Sequence, residues 1–202
     1  MEAPEAVQVR GPRTLRHRER AVTIADFEDL AFEAFVDVAR VKGIPATTAA
    51  DAGRVGLLVV PQSDDPQPVP GVELLGRVQD FITRRLTPTA GLWVAGPDWL
   101  KVTVDAEIVP ANMDAATAVQ NAAITRCRQF LHPLTGGPDG QGWAFGRRPY
   151  RSDLIALLES VPGVDHVRRI EIDEDPQDFV LRPDRFLIFS GDHRITVAGT
   201  EN

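Results

Sequence analysis

The sequence predicts an α+β fold, with mixed or antiparallel sheets, helices packed on one face, and a division into two small lobes. Three observations carry this expectation. Helix and strand signals follow the order α, β, β, α, β, α, α, β, β, β, which lacks the regular alternation of a doubly wound parallel sheet. One long strand in the middle alternates apolar and polar residues, so one face of its sheet is wet. The length of 202 residues suits one large domain or two small ones at about 100 to 200 residues each.

Composition narrows the function classes. Hydrophobic residues make up 43% and charged residues 25%, an ordinary globular balance. No apolar run approaches the roughly 20 residues of a membrane helix. Glu2 and Glu5 stand where a signal peptide carries basic residues, and no apolar run follows, so secretion by a signal peptide is not expected. Cys127 is the sole cysteine and there are four scattered histidines, which gives no internal disulfide and no zinc-ligand spacing; no metal or cofactor is expected. The net charge of −7 speaks against nucleic acid as a partner. That charge is uneven: residues 1–20 hold five arginines against three glutamates, a balance of +2 that leaves −9 for the rest. With few apolar residues and Gly11-Pro12 interrupting it, this segment reads as an extended basic arm. Arg16-His17-Arg18-Glu19-Arg20 reads first as a solvated charge run, next as a strip that docks on an acidic protein, and last as a nucleic-acid contact.

Along the body, Thr23 caps a helix with Asp26 in its first turn and Phe27, Leu30, Ala31 and Ala34 at helical spacing. Residues 38–42 and the β-branched run 55–60 read as strands, the second more buried and ended by Pro61. Three prolines make residues 62–70 a surface loop. Val72, Leu75, Val78, Ile82 and Leu86 form the stripe of a second helix ending before Pro88. The lobes divide as 21–90 and 91–202. Residues 100–108 are the alternating strand, and 114–131 a helix whose stripe of Ala116, Val119, Ala123, Cys127 and Phe130 makes Cys127 a buried small hydrophobe. Ser152 or Asp153 starts a short helix that Pro162-Gly163 stops. Residues 164–173 are a strand whose apolar phase slips at Arg168-Arg169, predicting a bulge. Residues 186–189 and 195–197 flank Ser190-Gly191-Asp192-His193 and predict a terminal hairpin.

The loop 133–147 is the most distinctive segment. Its glycines match neither G-x-x-x-x-G-K-[ST] nor G-x-G-x-x-G, and it follows a helix instead of a strand, so it is no phosphate cradle. Trp143 and Phe145 either anchor the loop to the core or offer an aromatic contact to another protein. The acids Glu171, Asp173, Glu174, Asp175 and Asp178 lack the glycine and distal glutamate of a calcium loop; they read as a solvated strand end or as a contact for a basic arm. His132, His166 and His193 stand near no G-x-S-x-G or H-E-x-x-H pattern, so no catalytic residue is assigned.

Three segments together resemble one family. R-H-R-E-R-A-V-T-I-A-D-F-E-D-L-A at 16–31, P-L-T-G-G-P-D-G-Q-G-W-A-F-G-R at 133–147, and Y-R-S-D-L at 150–154 followed by L-E-S-V-P-G-V-D-H-V at 158–167 resemble, in order, segments toward the C-terminal end of baseplate J-like proteins. These are baseplate assembly proteins of contractile phage tails and phage-tail-like injection systems. The resemblance implies a structural role and no enzyme activity: a wedge component that joins its neighbours into a sixfold ring and couples that ring to sheath contraction. The implied partners are other wedge subunits, neighbouring J-like copies, hub or spike proteins and sheath-proximal proteins. Arg13, Arg16, Arg18, Arg20, Trp143, Phe145 and Arg147 are then the expected subunit contacts. The alternatives are a tail-associated glycan hydrolase, which needs two carboxylates across a cleft, and a carbohydrate-binding module.

Overall fold

The computed structural model describes residues 20–47, 52–87, 89–174 and 184–199. Arg13, Arg16, Arg18, Asp175 and Asp178 lie outside these residues. The chain forms two compact units, Met1–Pro97 and Asp98–Asn202, and among the described residues the fold is α+β with two open sheets. The division falls later than residue 90, because the strand that begins at Gly91 pairs within the first unit.

In the first unit, α1 (Ile24–Ala34) opens on a capping box. The Thr23 N–H donates to Asp26 Oδ2 at 2.8 Å and the Asp26 N–H donates to Thr23 Oγ1 at 3.3 Å, satisfying two donors that the first turn leaves over. Phe27, Leu30 and Ala31 are buried, and the helix packs on β1 (Val38–Ile44). β1 runs antiparallel to β2 (Arg54–Pro61), which is parallel to β3 (Gly91–Ala95). The parallel step needs a crossover, supplied by α2 (Val72–Thr83). β2 is buried on both faces at Leu57, Leu58, Val59 and Val60, as its unbroken apolar run predicts. In α2 the buried row is Leu74, Val78 and Ile82, at strict i, i+4 spacing, so the packed face is rotated from the expected stripe. Val72, the first helical residue, is 87% exposed. Leu86 lies past the helix end and pairs with Ala21.

The second unit is built around β4 (Asp98–Pro110). Leu100, Val102, Val104, Ala106 and Ile108 are buried on one face, while Lys101, Thr103, Asp105 and Glu107 occupy the other, which is the alternation in the sequence made physical. β5 (Val164–Glu174) is antiparallel to β4. Glu107 faces Arg169 and Ile108 faces Val167, so Arg168 is the extra residue of a bulge at the position where the apolar phase slips. A 3₁₀ turn at Met113–Ala115 leads into α3 (Ala116–Phe130), which buries Val119, Ala123 and Cys127. α4 (Arg151–Glu159) buries Leu154, Leu157 and Leu158 and packs on β5 and α3. It starts before Ser152, with Asp153 reaching back to accept the Tyr150 N–H at 3.2 Å.

The expected terminal hairpin is not formed. β6 (Phe186–Ser190) lies parallel to the first part of β4, and β7 (Arg194–Val197) lies parallel to a later part of the same strand. The chain does not reverse at residues 191–193; it continues in one direction as a single edge strand with a break.

Candidate functional site

The break in that edge strand is closed by a side chain. The Gly191 N–H donates to the Val102 carbonyl at 2.8 Å, and the next outward-facing donor of β4, the Val104 N–H, meets His193 Nδ1 at 3.1 Å. The imidazole thus stands where a backbone carbonyl would stand in an unbroken ladder. With Nδ1 accepting, Nε2 carries the proton and donates to Ser190 Oγ at 2.9 Å. This polarity is the reverse of a histidine that activates a serine nucleophile, so the Ser190–His193 pair is structural. His193 is 8% exposed. Burial, and behind it the charge of Arg128, push its pKa down to about 4 against the opposing pull of Asp192.

A depressed folded-state pKa fixes the sign of the pH dependence. Above about pH 6.5 the imidazole is neutral in both states and the contact contributes fully. Below that the unfolded chain takes up a proton that the folded chain refuses, and stability falls by about 1.4 kcal/mol per pH unit until about pH 4. Urea titrations between pH 7 and pH 4 should show this slope, and His193→Asn, whose amide oxygen accepts but does not titrate, should remove it. An unchanged slope in the variant would assign the acid sensitivity to other groups.

The glycine-rich loop is the larger feature. α3 ends with the Leu131 N–H on the Cys127 carbonyl, at 2.9 Å. His132 Nδ1 then faces the Leu134 and Thr135 N–H groups, each at 3.2 Å, and Thr135 Oγ1 at 3.0 Å, so His132 holds the loop's first turn. The Phe130 carbonyl accepts both the Gly137 N–H at 2.7 Å and the Trp143 indole N–H at 2.8 Å. The Gly142 N–H donates to Gly136 at 2.7 Å, the Trp143 N–H to Pro133 at 2.9 Å, and the Gly146 N–H to Phe186 at 2.9 Å. Gly137, Gly140, Gly142 and Gly146 all have positive φ, a region that side chains with a Cβ rarely enter. The glycine spacing therefore encodes the loop's path.

Trp143 is 1% exposed, and its ring meets Phe130 edge to face at 5.4 Å. Of the two roles open to it, loop anchor is the one it fills inside its own unit. Phe145 is half-buried and Arg147 exposed, with the Arg147 guanidinium 5.6 Å from the Trp143 ring centroid. Pro138, Asp139, Gly140 and Gln141 form an exposed tip. Arg20 is exposed and belongs to the first unit.

Other candidates resolve into structure. Cys127 is buried, and desolvation raises its thiol to about 12, which leaves no thiolate near neutral pH. On the polar face of the second sheet, Asp105 pairs with Arg169 at 3.2 Å and Arg194 at 3.3 Å, and Glu107 with Arg168 at 3.4 Å. A depression of about 340 Å³ there is lined by Thr103, Asp105, Asp173 and Asp192 among others. Glu171 pairs with Arg169 at 3.2 Å and Glu174 with Arg148 at 3.1 Å. Among the described residues no three metal-binding side chains cluster, and no helix is long and apolar enough to cross a membrane.

No family model matches the chain, and no curated protein does. Among solved structures it is similar in fold to a chain of the anti-feeding prophage (AFP) baseplate, determined by cryo-EM with 6-fold symmetrisation, with a TM-score of 0.70 and 17% sequence identity. The match covers 95% of this chain and 42% of that one, so this chain spans less than half the length of its structural neighbour.

Proposed function

We propose that this chain is a structural baseplate component of a contractile injection system or phage tail, of the baseplate J-like kind. The observation that carries the reading is the likeness in fold to an AFP baseplate chain across 95% of the residues. The loop at 133–147 supports it in physical terms. Such a component needs a surface whose shape survives load, and this loop is fixed from within by Trp143 and presents a polar tip beside Phe145 and Arg147. In this reading the chain acts in a wedge, joins neighbouring copies in a sixfold ring, and passes the ring's movement to the sheath. The loop tip and Arg147 meet one neighbour, and Arg13, Arg16, Arg18 and Arg20 meet the acidic body of another. Its partners are wedge, hub and sheath-proximal proteins, and it turns over no substrate.

The test is co-expression with the neighbouring gene products, followed by purification through this chain and negative-stain imaging. Rings containing the chain are expected. A free monomer that hydrolyses or binds cell-wall glycan would overturn the reading in favour of a tail-associated hydrolase or a carbohydrate-binding module.

A further inference from the structure

The polar face of the second sheet is recessed where its edge strand breaks. Thr103 has Asp173 of β5 opposite it on one side. On the other side stands Gly191, where an added Cβ would strike Thr103 Oγ1 and the Lys101 side chain, so the glycine leaves the space beside Thr103 open. The resulting depression of about 340 Å³ is lined by four carboxylates, Asp105, Glu171, Asp173 and Asp192, against the single Arg194. Two of the four are answered from within the face: Arg169 and Arg194 bind Asp105, and Arg169 also binds Glu171. The other two are not. Asp173 is exposed and makes no ion pair among the described residues, and Asp192, its side chain 97% exposed, reaches Lys101 Nζ only at 4.0 Å. Their chains flank β4, roughly 10 Å apart at two strand spacings, with the Thr103 hydroxyl between them. Two uncompensated carboxylates facing one recess favour a cation in it.

The same unit presents matching cations on its opposite side. Arg147, Tyr150 and Arg151 are exposed, Tyr150 by 67%, and neither Arg147 nor Arg151 meets a carboxylate among the described residues. The backbone that carries them is held in place. Pro149 is buried, Asp153 accepts the Tyr150 N–H at 3.2 Å, and Arg148 binds Glu174 at 3.1 Å. Glu174 stands opposite Val102, a member of the buried row of β4, so this segment lies on the helix-covered side of the sheet. The sheet itself separates the patch from the depression, and no copy can fill its own recess. Tyrosine and arginine carry much of the binding energy at protein contacts, and side chains on a fixed backbone lose less freedom on docking.

We infer that the Arg147, Tyr150 and Arg151 patch of one copy docks in the depression of a second copy, with a guanidinium held between Asp173 and Asp192. The occupant is a second copy because one unit carries both halves of the contact, opposite in charge, exposed, and turned to opposite sides. A contact between two different surfaces of the same chain is head-to-tail: every added copy offers a free patch and a free recess, and the series closes into a ring where the rotation allows. Closure at six copies rests on the baseplate reading above; the pairing of the two surfaces rests on their charge and exposure.

The experiment reverses the two surfaces in separate full-length chains, Arg147→Glu with Arg151→Glu in one and Asp173→Lys with Asp192→Lys in the other. All four side chains are exposed, so both variants should keep the wild-type urea midpoint. In sedimentation over a concentration series the wild type should self-associate, and each variant should do so at least about tenfold more weakly. An equimolar mixture of the two should recover most of the loss, because the native patch of one then meets the native recess of the other and the reversed surfaces meet in turn. A fold weakened by substitution would not be rescued in this way. A wild type that stays monomeric, variants that associate as it does, or variants that fail to rescue each other would each overturn the pairing. Co-expression with the neighbouring gene products separates the two readings: rings indifferent to both reversals overturn this inference alone, and charge-dependent association of the chain without rings overturns the ring reading alone.

Discussion

Trp143→Ala should destabilise the second unit by about 3–5 kcal/mol, the range for emptying a large aromatic site in a core. The indole is 1% exposed, stands edge to face with Phe130 at 5.4 Å, and donates to the Phe130 carbonyl at 2.8 Å. Removing it leaves a cavity and takes one of two donors from that carbonyl. Trp143→Phe separates these contributions: the ring contact survives in part while the N–H is lost, a cost of about 1–3 kcal/mol. Residue-resolved hydrogen exchange is the suitable measurement, because amides of β4 and β6 should lose protection while those of β1 and β2 in the first unit should not. Equal loss in both units would refute the assignment of Trp143 to the second unit's core alone. A near-wild-type Trp143→Ala whose only defect is in assembly would favour the subunit-contact role.

Gly136→Ala should detach the loop while the rest of the second unit stays folded. A Cβ at Gly136 would collide with the carbonyl oxygens of Phe130 and His132. Neither can retreat cheaply, since the Phe130 oxygen holds Gly137 and Trp143 and the His132 oxygen accepts the Gly136 N–H itself. Losing the Gly137–Phe130 and Gly142–Gly136 bonds at about 1 kcal/mol each sets an expected cost of about 2–3 kcal/mol. The control is Gly140→Ala, where no atom lies within 4 Å of the added Cβ and only the φ of +66° resists substitution, a penalty of about 1–2 kcal/mol. Urea midpoints should rank wild type, Gly140→Ala, Gly136→Ala, with a red-shifted Trp143 emission in the last. The opposite order would mean that backbone conformation and not close packing shapes the loop.

Features written in a few adjacent residues were legible from the sequence. Thr23 and Asp26 cap α1 because both partners sit three residues apart. The bulge at Arg168 shows as a slipped apolar phase, since a two-residue period cannot shift without an extra residue. What was not legible depends on distant partners. Ser190-Gly191-Asp192-His193 has the composition of a hairpin turn, yet whether the chain reverses there is decided by β4, whose Val104 lies 89 positions from His193. A histidine that replaces a carbonyl leaves no pattern in sequence. The loop shows the same boundary: its glycines announced an irregular path, but Trp143 could face inward or outward until Phe130, on the preceding helix, was placed beneath it. The basic arm remains known from its composition, and the roles of its arginines stay with the proposal.

The double acceptance at the Phe130 carbonyl has a mechanical consequence. Both lone pairs of the last helical residue of α3 are committed to its own loop, one to each side of the glycine-rich path. The loop is therefore clamped to the end of a rod, and it has little compliance of its own. Displacing Pro138 to Gln141 would have to strain hydrogen bonds held by α3, whose Val119, Ala123 and Cys127 are buried. One carbonyl oxygen thus ties two points of the loop's path to the end of α3.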